Sequence, residues 1–284
     1  MKLLNSKIIA DSCCDLNKEL KEKLKVDLVP LSIEIGDYNL RDDENLDTME
    51  LIQLMKDSHK APKTSCPSPG EYMEKFQGED NIFVVTLSSA LSGSYNSAML
   101  AKKMIIDNLE DKKNKFIHIF DSLSASIGQT LISIKIHELI EKNLENHIIV
   151  EKVNNYIKEM KTFFILESLD NLVKSGRLSK IKGKIASTLN IKPIMGEDGA
   201  GNIREVEKIR GSKKAFRRLA EIIGEQGEKF EEKIIGIAHC NALEKAKELK
   251  EEILKRYNFK DIIIVETAGI STVYANNGGI IIAF

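Results

Sequence analysis

The chain has 284 residues, 42 basic and 43 acidic, for a formal net charge of −1. That length fits two domains, since single cores stop growing near ~250 residues, and the balanced charge leaves no global field to draw in nucleic acid or an anionic membrane. No apolar run approaches the ~20 residues that span a bilayer, no hydrophobic stretch before Asp11 reads as a signal peptide, and Cys13, Cys14, Cys66 and Cys240 suit free thiols in a reducing cytosol.

Lys7 to Ala10 reads as a short strand ending at Asp11-Ser12-Cys13-Cys14-Asp15. Leu16, Leu20 and Leu24 then mark a helix, with Asp15 as its expected N-cap. Open α/β sheets place their ligands at such strand ends. Val26 to Ile35 reads as one extended run, and Leu46 to Met55 as a helix with Met49, Ile52, Leu54 and Met55 inward. Pro62, Pro67 and Pro69 forbid a helix and leave a stiff extended loop whose polar side chains are Thr64, Ser65 and Ser68. Glu71 to Phe76 begins another helix.

Ile82 to Leu87, rich in β-branched residues, reads as a buried strand. A helix follows from Tyr95 to Ile106, and Ser88-Ser89-Ala90-Leu91-Ser92-Gly93-Ser94 lies between them. A strand feeding a helix through such a turn aims free backbone N–H groups and the positive helix end at whatever sits above, which makes a receptor for a small anion. The plainer reading is that Ser92 or Ser94 only caps the helix. Phe116 to Phe120 is a further strand, Asp121 to Ser126 a further hydroxyl-rich turn, and Ile127 to Ile140 a helix. This repetition is the pattern of βαβ units and a mostly parallel sheet.

Val150 to Met160 is helical, and the character changes beyond Phe163 to Leu166. Leu169 to Arg177 ends at Ser175-Gly176-Arg177, a helix stop, and Leu178 to Leu189 is basic and amphipathic, with Lys180, Lys182 and Lys184. Ile191 to Met195 and Ile203 to Ile209 flank a glycine-rich hairpin turn. Helix Ser212 to Ile223, strand Ile234 to Ala238, helix Ala242 to Tyr257, and strands Ile262 to Val265 and Ile280 to Phe284 complete the chain. The fold class is therefore α/β: a mostly parallel N-terminal α/β sandwich domain over residues 1–161 and an α+β domain with a mixed sheet over 162–284.

Familiar catalytic patterns are missing. Ala90 breaks a G-x-S-x-G elbow around Ser92, and no Walker or Rossmann glycine pattern occurs. His59, His118, His137 and His147 lack metal-ligand spacing. His239-Cys240 resembles a catalytic pair on paper, but a polar residue starting a helix accounts for His239 more simply. No catalytic residue, metal or cofactor is assigned.

Several stretches resemble one family in its own order. They are Asp11 to Leu16, Thr64-Ser65-Cys66-Pro67-Ser68, Ser88 to Tyr95, Asp121 to Gln129, Ser175-Gly176-Arg177 and Leu189 to Ile194. Together they look like the signatures of the DegV family across essentially the whole chain. The resemblance implies a cytosolic bacterial carrier of a long-chain fatty acid such as palmitate, bound between the two domains. In some members the carrier presents its acid to a fatty-acid kinase catalytic subunit, which makes the acyl-phosphate. By position, Thr64, Ser92, the Gly93 N–H and Tyr274 would hold the carboxylate. Ser65 and Arg177 would lie near the head-group or the phosphoryl-transfer face, although a cation at a helix end also simply favours the dipole.

Two positions depart from the pattern. Cys66 stands where glutamine is usual. Tyr274 stands where the family has histidine, and the following Ala275-Asn276-Asn277-Gly278-Gly279 lacks the usual proline. A tyrosine can replace the hydrogen bond but not a positive charge. Two functions follow: a non-catalytic fatty-acid carrier, or an enzyme on a small phosphorylated or carboxylated metabolite using Ser92 or His239 in the same pocket. Chain-length preference and oligomeric state are not written in the residues.

Overall fold

A computed structural model describes residues 6–78, 81–108, 115–178 and 190–284. The chain opens with β1 (Ser6–Asp11), α1 (Lys18–Leu24) and β2 (Asp27–Val29). Asn17, rather than Asp15, caps α1, its side chain accepting from the Leu20 N–H at 2.9 Å. Asp15 is fully buried instead, with partners far along the chain. The expected single run over 26–35 is two strands. Pro30 interrupts it, having no N–H for a ladder. Beyond it β3 (Ser32–Ile35) joins a different, three-stranded sheet with β4 (Tyr38–Arg41) and β5 (Lys63–Ser65). Strand β5 is the centre of the proline loop. Between β4 and β5 lies α2 (Thr48–Asp57), capped by Asp47.

Helix α3 (Pro69–Lys75) starts on a capping box between Ser68 and Glu71 with proline in the first turn. Then come β6 (Asn81–Thr86), α4 (Ser94–Asn108), β7 (Phe116–Asp121), α5 (Ile127–Glu141) and α6 (Asn146–Glu159). The order β2-β1-β6-β7 is parallel throughout, so the C-terminal ends of β1, β6 and β7 share one edge.

The second half contains β8 (Thr162–Ile165), α7 (Asp170–Lys174), β9 (Ile191–Glu197), β10 (Ile203–Arg210), α8 (Ser212–Gln226), β11 (Ile234–His239), α9 (Leu243–Leu254), β12 (Asp261–Glu266), α10 (Gly269–Ala275) and β13 (Ile280–Ala283). Its sheet runs β10-β9-β8-β13-β11-β12, with only the β11–β12 pair parallel. The basic amphipathic segment expected after Leu178 lies outside the described residues.

Helix α5 joins the two layers. It touches β1 and β6 on one side and β11 and β13 on the other. Ile127 and Leu131, almost wholly buried, pack in one cluster with Val85 and Phe120 of the first sheet and Ala238, Val265 and Ala283 around the second. A helix covered on both sides has little polar face to show. Where α5 meets β11 the approach is so close that a Cβ on Gly236 would sit 2.2 Å from the Ile127 side chain.

Candidate functional site

The turns after β1, β6 and β7 are tied to one another before they offer anything to a ligand. The Asp11 carboxylate accepts from the Leu87 N–H at 2.7 Å, the Gln129 side-chain amide at 2.9 Å and the Cys13 N–H at 3.3 Å. Burial pushes its carboxyl up to about 6, with the Gln129 bond pulling the other way. Asp121 accepts from Ser89 and Leu123 N–H groups. Most of the hydroxyls that crowd these turns are also committed: Ser12 accepts from Leu31 N–H, Ser88 donates to the Gly201 carbonyl, and Ser122 donates to the Ser124 carbonyl. A buried hydroxyl must find a partner, so abundance of serine is not abundance of free donors.

Above this edge, facing the mixed sheet, lies a cavity of about 320 Å³, within the ~300–1,000 Å³ usual for small-molecule sites. Leu31, Leu87, Leu91, Phe164, Leu166 and Leu172 form much of its wall. Thr64, Ser65, Ser92, Gly93, Arg177 and Tyr274 all line it, although they come from four separate stretches of chain. The Thr64 hydroxyl and the Tyr274 hydroxyl are 2.7 Å apart and hydrogen-bonded. Ser92 accepts from the Ser94 N–H at 3.2 Å, so it caps the start of α4 while lining the cavity. The Gly93 carbonyl accepts the Ser97 N–H at 2.9 Å, and among the described residues its own N–H has no partner. A Cβ on Gly93 would stand 2.9 Å from the Cys66 sulfur, so the bare backbone leaves room for that thiol against the serine turn.

Arg177 donates from Nε to the Leu91 carbonyl at 3.2 Å and from Nη1 to the Ser175 carbonyl at 3.0 Å. Its guanidinium lies 5.6 Å from the centre of the Tyr274 ring, a cation–π distance. Among the described residues it has no carboxylate partner. A guanidinium charge therefore stands beside Tyr274.

Helix α10 was not legible in the sequence, and it builds one side of the cavity. Ile270, Ser271, Tyr274 and Ala275 face inward from it. Its first amides are held by carboxylates remote in sequence: Ala268 N–H donates to Asp15 at 2.7 Å, and Gly269 and Ile270 N–H donate to Asp42 at 2.7 and 3.0 Å. Sequence rules look for a cap beside the helix, and here both caps lie more than 220 residues away. The apolar spacing of Ile270, Val273 and Tyr274 was the available signal.

His239 ends β11 rather than starting a helix. Its Nδ1 accepts the Ala242 N–H at 3.3 Å ahead of α9, and it does not line the cavity. Cys13 does line it, but burial first, then the Asp15 and Asp11 carboxylates, push its thiol well up. Among the described residues no group of three or more His, Cys, Asp or Glu side chains is placed to hold a metal, and no helix is long and apolar enough to cross a membrane.

Fold and cavity define an α/β protein of three sheets with a largely apolar site and a cluster of polar groups. The chain belongs to the DegV family, described as uncharacterised proteins, whose family model matches residues 5–284. A DegV domain-containing protein of Streptococcus gordonii is 36% identical over 281 residues, 98% of each chain. A DegV-family crystal structure from Ruminococcus gnavus with vaccenic acid superposes with a TM-score of 0.95 at 44% identity, covering 99% of this chain and 100% of that one. The Streptococcus pneumoniae fatty acid kinase (Fak) B3 protein loaded with linoleic acid gives 0.89 at 34% identity, with 99% of each chain covered.

Proposed function

We propose that this protein is a carrier of long-chain fatty acids, which it holds with the carboxylate at Thr64, Ser92, the Gly93 N–H and Tyr274 and the tail in the apolar part of the cavity. The observation that carries the reading is the polarity of that cavity. The cavity gathers a Thr64–Tyr274 hydroxyl pair, a glycine N–H and a guanidinium that among the described residues has no carboxylate partner, and much of the remaining wall is leucine and phenylalanine. Solved relatives with vaccenic and linoleic acid support it.

Burying an unpaired carboxylate costs several kcal/mol. Hydroxyl and N–H donors offset that cost, and each buried methylene adds about 0.8 kcal/mol. For a long tail the apolar part dominates affinity, and the donors decide which end sits where. Arg177 contributes a positive charge beside the Tyr274 ring.

We further propose an organisation in two units, 1–161 and 162–284, working in the bacterial cytoplasm, with the acid presented to a kinase catalytic subunit. The likeness to the fatty acid kinase B3 protein supports that partner. Ser65 and Arg177 both line the cavity, and we assign them to its phosphoryl-transfer face.

Denaturing extraction and mass spectrometry of the purified protein test the function. A stoichiometric long-chain acid is the expected result. A phosphate-bearing small molecule in its place would turn the reading towards an enzyme acting in this pocket.

A further inference from the structure

Asp15 stands in the first of the hydroxyl-rich turns, yet it caps no local helix and touches no ligand-facing donor at the Thr64 end. It is 0% exposed. One carboxylate oxygen accepts the Ala268 N–H at 2.7 Å, at the entry to α10. The other accepts a short hydrogen bond from the Ser126 hydroxyl, at the entry to α5. Its main-chain carbonyl accepts the Thr130 hydroxyl at 2.6 Å, one turn into α5. Three segments meet on this residue, separated from it by 111 and 253 positions along the chain.

Its partners sit at cavity walls, and the Ser271 hydroxyl of α10 acts on the carboxyl as well. Ser126 lines the cavity itself, and its backbone has φ 57° and ψ −127°, a conformation that L-residues rarely hold without outside support. Ala268 begins the helix whose Ser271 and Tyr274 face the cavity. Among the described residues no cation pairs with the carboxylate. The ionisable groups acting on or near it are Asp11, Asp42, Cys13, Cys14 and Cys240, all acids. A buried carboxylate without a counter-charge is expensive, and an apolar residue would fill the same space at less cost. What only an acceptor of two bonds can do here is fix the start of α10 against the start of α5.

We propose that Asp15 is a positioning residue of the fatty-acid site: it holds α10 in register with the serine turn at the start of α5 and thereby sets where the Tyr274 hydroxyl points. This rests on the fatty-acid reading of the cavity. Asp42 grips the next two amides of the same helix, but it does not reach across to α5, so the relative placement of the two walls falls to Asp15.

The test is a double-mutant cycle in the full-length protein, read by the fluorescence of bound cis-parinaric acid at pH 8. Asparagine at position 15 keeps one acceptor oxygen and turns an NH2 towards the second donor. Asp15→Asn is expected to weaken binding about fivefold in the unaltered background but less than about twofold when Tyr274→Phe is already present, because positioning an absent hydroxyl is worth nothing. Equal losses in both backgrounds, or no loss in either, overturn the assignment and leave the carrier reading intact. Failure of the unaltered protein to bind the probe at all overturns both. Should Asp15→Asn not fold, the unaltered protein still answers. The Ala268 amide proton is expected to shift on acid loading together with the Tyr274 ring resonances, and an Ala268 amide blind to loading refutes the coupling.

Discussion

At the residue scale the Tyr274 hydroxyl and the Asp15 carboxyl make separable predictions. Tyr274→Phe removes the 2.7 Å bond to Thr64 but leaves an aromatic face under Arg177. Acid binding measured by calorimetry should weaken by about 1 kcal/mol, with the methyl ester changed less, since a charged acceptor gains most from the lost donor. Unchanged acid affinity would mean that the ring is only filler. For Asp15 the quantity is stability against pH. Burial pushes its carboxyl up to about 7, above its ordinary value near ~3.9 in the unfolded chain. The folded state therefore binds more protons than the unfolded one between those values, and stability falls as pH rises through the folded value. Burial pushes the His118 and His239 imidazoles down, and an unfolded histidine is still about half protonated near pH ~6.5, so these two add stability as pH rises and oppose the fall. The quantity to measure is therefore a difference: between pH 6.5 and 8 the unaltered protein should lose about 1 kcal/mol of unfolding free energy relative to Asp15→Asn. Parallel profiles for the two proteins contradict it.

At the element scale α5 and α10 carry the site. Helix α5 is packed so closely on β11 that Gly236→Ala must push Ile127 aside, its new Cβ lying 2.2 Å from that side chain. Overpacking of this kind should cost about 1–3 kcal/mol of unfolding free energy, measurable as a lower denaturant midpoint. Leu131→Ala in the same helix leaves a hole instead, and should cost about 2–5 kcal/mol. Near-neutral outcomes for both would show that the layers are not coupled through this helix. The sequence made α5 visible through its recurring isoleucines and leucines after a hydroxyl-rich turn, and β6 and β7 through short stretches rich in apolar residues. It did not reveal that 26–35 serves two sheets, because Pro30 marks a break without saying where the chain goes next. It left α10 unseen because that helix takes its caps from Asp15 and Asp42 across the fold.

At the scale of the whole molecule the cavity lies between layers that the chain builds at opposite ends, so a ligand in it binds the folded state and not the unfolded one. Mass action then stabilises the loaded protein by about 2.7 kcal/mol at a free acid concentration a hundred times the dissociation constant. Stripping the lipid should lower the melting temperature, and titrating the acid back should restore it in a concentration-dependent way. A melting curve indifferent to delipidation would remove the cavity as the binding site.

The residues alone determined the alternation of strand, hydroxyl-rich turn and helix, the mixed character of the second half, and the family signatures that singled out Thr64, Ser92, Gly93, Arg177 and Tyr274. These are local: periodicity, turn chemistry and motif order act over a few residues and can be read there. Only the tertiary structure decided which serine hydroxyls are spent on the turns and which face the cavity, that Arg177 stacks on Tyr274 rather than meeting a carboxylate, and that Asp15 serves α10 instead of its neighbouring helix. Each of those outcomes is a choice among hydrogen-bond or charge partners brought together from distant parts of the chain, and a buried polar group takes whichever partner the packing delivers.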